Sequence, residues 1–87
     1  MASFELRWRA STKKDLRRIR REDVVQLLTA AAKLADDPLP HGSEKLAGSE
    51  RTYRIRVGGY RIVYEFVRDV KLVEIQRVRH RRDVYRR

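Results

Sequence analysis

The chain of 87 residues has no cysteine, two prolines, four glycines and two histidines. Without cysteine there is no disulfide framework, no thiolate nucleophile and no thiolate-held zinc or iron–sulfur cluster. The glycines, at 42, 48, 58 and 59, spell neither a dinucleotide-binding nor a P-loop fingerprint. No apolar run approaches the roughly 20 residues that span a bilayer. Met1-Ala2-Ser3-Phe4-Glu5 lacks the apolar stretch of a signal peptide, so a cytoplasmic protein with no membrane contact is expected. His41 and His80 stand far apart, with no His-x-x-x-His or carboxylate cluster beside them, so no metal and no other cofactor is expected. Ser11, Ser43 and Ser49 lack a neighbouring His–acid arrangement, and Asp36-Asp37 before Pro38 is more simply a helix end than a catalytic carboxylate pair. The length suits one domain over 1–87, since two cores would leave each with fewer than about 50 residues.

Acidic residues are scarce where basic ones gather. Residues 1–50 hold 10 basic and 8 acidic side chains, whereas 51–87 hold 12 basic and 4 acidic, and the whole chain is +10. Seventeen of the 22 cations are arginine, whose planar fork grips phosphate in a bidentate way and stacks on bases. A polyanionic partner follows, with nucleic acid ahead of an acidic membrane.

The apolar periods give an order of elements. Ser3 to Arg9 alternates strictly, with Phe4, Leu6 and Trp8 on one face, which predicts a half-buried strand. Ser11 or Thr12 can cap a short helix, with Asp15 three after Thr12 as in a capping box and Leu16 and Ile19 inward. Lys13, Lys14, Arg17, Arg18, Arg20 and Arg21 form its solvated side. Val24, Leu27, Leu28, Ala31 and Leu34 carry the three-and-four spacing of a second helix from Glu22 to about Ala35, ended by Pro38. Strands follow at 52–57, 60–67 and 70–78, joined by turns at Gly58-Gly59 and Arg68-Asp69, with a basic tail from Arg79 to Arg87. The fold class is α+β, in the order β-α-α-β-β-β: a helical hairpin packed on a twisted, mostly antiparallel four-stranded sheet.

Period two sets Arg54, Arg56 and Arg61 opposite Tyr53, Ile55 and Ile62, on the sheet face away from the helices. Like charges across strands are costly without an anion, so this cluster points to phosphate, unless the guanidinium groups reach into water or pair with Glu65 or Glu74. In the tail, His80 is a candidate general acid or base and Tyr85 can stack on a base or handle a proton. Either can instead be structural, a lone His being more often a hydrogen-bonding surface residue than a catalyst, and composition alone leaves catalysis open.

Taken as one phrase, Lys45-Leu46-Ala47-Gly48 and Tyr53-Arg54-Ile55-Arg56-Val57-Gly58-Gly59-Tyr60-Arg61-Ile62-Val63-Tyr64 resemble the signature of the RelE/ParE toxin superfamily. The ending Val78-Arg79-His80-Arg81-Arg82-Asp83-Val84-Tyr85 is similar to that of its RelE-like mRNA interferases, so the likeness spans essentially the whole chain. The resemblance implies a toxin of a type II toxin–antitoxin system, held by a cognate antitoxin in a toxin–antitoxin heterotetramer, which cuts mRNA in the A site of the 30S ribosome and so inhibits translation. The implied reaction is metal-independent attack of a ribose 2′-hydroxyl on the adjacent phosphate, leaving a cyclic phosphate and a free 5′-hydroxyl. By resemblance Arg61, Arg81 and Tyr85 match the family's site positions; with His80 added from its own chemistry, the expected catalytic set is Arg61, Arg81, His80 and Tyr85, and Arg54, Arg56, Arg79 and Arg82 are expected to bind RNA phosphate. Arg54 and Arg56 stand where the family often has lysines; because arginine stays protonated, the base must be sought elsewhere, first at His80 and then at Tyr85. The alternatives are a ParE-like inhibitor of DNA gyrase without nuclease activity, or a non-catalytic basic RNA-binding module.

Overall fold

A computed structural model of the chain describes residues 3–80. The order is β1 (Glu5–Trp8), α1 (Thr12–Arg17), α2 (Arg21–Asp36), β2 (Glu44–Lys45), β3 (Thr52–Val57), β4 (Tyr60–Val67) and β5 (Leu72–His80). The sheet has five strands in the order β1-β5-β4-β3-β2 rather than the four expected. The extra one, β2, is two residues long, too short to show any period; it pairs antiparallel with β3 through Glu44↔Arg54 and Lys45↔Tyr53. β1 lies parallel to β5, and all other pairings are antiparallel.

Both helices cover one face. Leu27, Ala31 and Leu34 of α2 meet Ile55, Ile62, Tyr64, Phe66, Val73, Ile75 and Val78 of the sheet, and Leu16 and Ile19 pack against the rim of this core. Leu28 lies outside it, 44% exposed, because α2 turns only a narrow stripe to the sheet. Truncating a fully buried member such as Ile62 to alanine removes on the order of 2–5 kcal/mol. Among the described residues no helix is long and apolar enough to cross a membrane.

Two local expectations change. The predicted capping box does not form: Ser11 makes no side-chain cap, the Thr12 hydroxyl donates to the Arg9 carbonyl, and Asp15 accepts the Val78 amide at 3.0 Å. The second turn extends to Lys71, which takes φ +52, so β5 starts at Leu72 and takes in Arg79 and His80, which had been assigned to the tail. Gly58 meets the demand of the first turn, with φ +59 between β3 and β4.

Candidate nucleic-acid interface

The uncovered face of the sheet is charged, and its two ends differ. Register puts Arg56 opposite Arg61 and Arg61 opposite Arg79, a row of three guanidinium groups across β3, β4 and β5. The next row is Arg54, Val63 and Arg77, and Glu44 lies beside Arg54. Beyond it come Glu65 and Glu74, with Arg7 next to Glu74. The cations thus collect at the Gly58-Gly59 end, and acids join them only further down.

A bulge creates this arrangement. Val73 and Ile75 face the core, and strict alternation would send Arg77 and Arg79 inward and Val78 outward. Between Val63↔Arg77 and Tyr64↔Ile75 the register slips, leaving Gln76 as the extra residue of β5. The slip reverses the phase, buries Val78 at 3% exposure, and turns Arg77 and Arg79 to the open face.

The arginines are not equivalent. Arg61 is 6% exposed, the one buried cation among the described residues, enclosed by its neighbours on both sides of the central strand. Arg54 donates through Nε to Glu44 Oε1 at 2.9 Å and its Nη2 lies 2.8 Å from the same oxygen as an ion pair; this bond with its charge holds the Glu44 carboxyl below the usual range, helped by Arg56 and Arg61. The expected alternative partners, Glu65 and Glu74, do not take Arg54: Glu74 pairs instead with Arg9, at 3.6 Å. Arg56 and Arg79 are exposed and half-buried respectively. Three like charges side by side in one row repel one another, and guanidinium groups suit a phosphate that would relieve that repulsion.

His80 goes elsewhere. It stands opposite Tyr60 on the helix-covered side, edge-on to that ring with centroids 5.3 Å apart, and lines a cavity of about 200 Å³ with Asp15, Arg18, Ile19, Tyr60, Val78 and Arg79. Tyr60 donates to Asp23 Oδ2 at 3.1 Å, and burial followed by this bond raises its pKa. The structure therefore brings Arg54, Arg56, Arg61 and Arg79 together on one face and sets His80 on the other. Arg81, Arg82 and Tyr85 lie outside the described residues.

Sequence reasoning missed Glu44, Asp15 and Arg77. Glu44 and Asp15 act across long loops, where no local spacing signals them. Arg77 had a signal: apolar residues at 73, 75 and 78 break the period of two by one step.

The model of the ParE toxin family of type II toxin–antitoxin systems, parDE, matches residues 6–85. No curated protein matches the sequence. Among solved structures, the chain is similar to the RelBE2 toxin–antitoxin complex of Mycobacterium tuberculosis, with a TM-score of 0.80, 24% identity and coverage of 90% of this chain and 98% of that one. It is equally similar to the archaeal RelE–RelB complex of Pyrococcus horikoshii, with a TM-score of 0.80, 23% identity and coverage of 91% and 96%. The DinJ–YafQ toxin–antitoxin complex of E. coli gives a TM-score of 0.77 at 16% identity, covering 97% and 99%. At such identities these likenesses speak for the fold. Together with the family match over nearly the whole length, they make the chain a member of the RelE/ParE superfamily of type II toxin–antitoxin toxins, with a RelE-like fold.

Proposed function

We propose that this toxin is a metal-independent endoribonuclease that cuts mRNA on the ribosome and so stops translation. The observation that carries the reading is the Arg56–Arg61–Arg79 row on the open sheet face. In the proposed reaction the 2′-oxygen bonds to phosphorus as its proton passes to a base, and the bond to the 5′-oxygen breaks as that oxygen gains a proton. Arg61, held rigid by burial, stabilises the pentacoordinate phosphorane; Arg56 and Arg79 hold the phosphate from either side, and Arg54 and Arg82 hold the flanking strand. Arg81 adds a further cation to the reacting phosphate. Because His80 faces the helices, Tyr85 is the favoured proton acceptor and His80 the comparison residue. A cognate antitoxin is the partner, a reading supported by the toxin–antitoxin complexes among the structural neighbours, and the charge of the arginine row makes that face the one it would cover.

The match to the ParE family model favours a second reading, inhibition of DNA gyrase without cleavage. Ribosome-programmed mRNA cleavage with mapped ends separates the two. The native toxin should give products with 5′-hydroxyl ends, and Arg61→Ala should lower the rate by about a hundred- to a thousandfold. Because Arg61 is buried, Arg79→Ala serves as the second variant, with circular dichroism checking both folds. Uncut mRNA together with loss of gyrase supercoiling would replace the first reading by the second.

A further inference from the structure

The connection between the helices carries a second basic surface, away from the sheet face. Lys13, Lys14, Arg17, Arg18, Arg20 and Arg21 are all exposed, six cations within nine residues. In α1 and its C-terminal capping residue Arg18, positions 13, 14, 17 and 18 follow helical spacing and form a single outward stripe. The acid within the segment, Asp15, is turned inward and engaged by the Val78 amide, so it does not offset the stripe. Among the described residues only Arg20 of the six has an ion pair, to Glu22 at 3.7 Å, with both side chains about three-quarters exposed (77% and 74%). On the sheet, by contrast, Arg7, Arg9 and Arg54 each pair with a carboxylate.

We infer that this elbow is a docking surface for the phosphate backbone of double-helical RNA. Leu16 and Ile19, the segment's large apolar side chains, pack on the core, which leaves it none to insert into a lipid surface. Residues 13–21 hold no Phe, Tyr, Trp or His on which a base could stack, and the two rings beside Arg18, Tyr60 and His80, are set edge-on to each other, so the elbow itself offers no stacking platform for a single strand. What remains is closely spaced charge, which reads backbone rather than bases. Arg18 and Arg79 line the same small cavity, so the elbow continues around the edge of β5 into the sheet-face row. A duplex on the elbow would lie beside a single strand on the sheet. The choice of RNA over DNA rests on the proposed function; the surface itself does not depend on cleavage.

The test compares the full-length toxin with a Lys13→Gln, Lys14→Gln, Arg17→Gln variant, glutamine being a comparable helix former. Fluorescence anisotropy measures binding to an RNA duplex of about 16 base pairs, a DNA duplex of equal length and a short single-stranded RNA, each over a range of salt. For the RNA duplex the variant should bind at least about tenfold more weakly, and the slope of log affinity on log salt should fall by roughly 2–3. Affinity for the short single strand should stay within about twofold. An unchanged slope for the RNA duplex, or an equal loss on the single strand, overturns the inference. So does a loss on the DNA duplex alone. Failure of mRNA cleavage with the duplex result intact would count against the proposed nuclease and leave the docking surface standing.

Discussion

At the scale of single residues, Glu44 sets how much of the arginine cluster is free for a ligand. Its carboxylate holds Arg54 by a hydrogen bond and an ion pair, and a phosphate must compete with it for that guanidinium. Glu44→Gln should tighten the binding of short RNA by on the order of two- to fivefold, the range of an exposed ion pair. A titration of labelled RNA measures it, and equal or weaker binding would show that Glu44 orients Arg54 instead of competing for it. The pH dependence has a definite sign. Because the carboxyl is held below its usual range, the pair persists as pH falls through the ordinary carboxylate region and is lost only at the lower folded-state value.

At the scale of elements, β5 decides the site, and its far end depends on α1. β1 stops at Trp8, and Arg9 still donates to the Ile75 carbonyl at 2.9 Å, but Val78 lies past the reach of any neighbouring strand on that side. The Asp15 carboxylate stands in for the missing strand. Asp15→Ala should cost about 1.5–3 kcal/mol, as for a hydrogen bond to a charged group. It should also speed amide exchange at Val78 well beyond that in β3, whereas Asp15→Asn, which keeps an acceptor, should restore most of the protection. Uniform acceleration over the sheet would sink the idea of a local tie. The same element shows what a sequence can and cannot disclose. The β3–β4 hairpin was legible because its alternation is unbroken and Gly58 marks its turn. The phase slip at Gln76 is written in the apolar positions, yet its effect on Arg77, Arg79 and His80 emerges only with the pairing. Asp15 looked like a local cap, because its true partner is 63 residues away.

At the scale of the molecule, Tyr64 joins the sheet to the loop after α2. It is fully buried, stacks on Tyr53 with centroids 5.9 Å apart, and donates to the Pro38 carbonyl at 2.6 Å. Burial pushes its pKa up to about 12. The folded state thus keeps this proton after the unfolded chain has begun to lose it. The Tyr64 contribution to stability is fully present below pH 10 and declines as pH rises from there towards 12. Tyr64→Phe should lower stability by about 1 kcal/mol at neutral pH, a fall of roughly 4–8 °C in Tm, and should flatten the alkaline decline. Chemical denaturation at several pH values tests this; an unaltered alkaline slope would place its origin in other groups. The arginine face was legible at this scale from regional charge and alternation, but the burial of Arg61 was not. Enclosure of a guanidinium depends on neighbours supplied by three strands at once.

The parallel pairing of β1 with β5 also fixes when the toxin comes into being. Glu5 and Leu72 are partners far apart in the sequence, and the strand between β1 and β4 is the last of the described strands in chain order. A nascent chain that has not yet delivered β5 has helices and a β3–β4 hairpin but no seam to join β1 to them, and the Arg61–Arg79 contact does not yet exist. The complete arginine row therefore assembles only after residues 72–80 have been made and paired with β4.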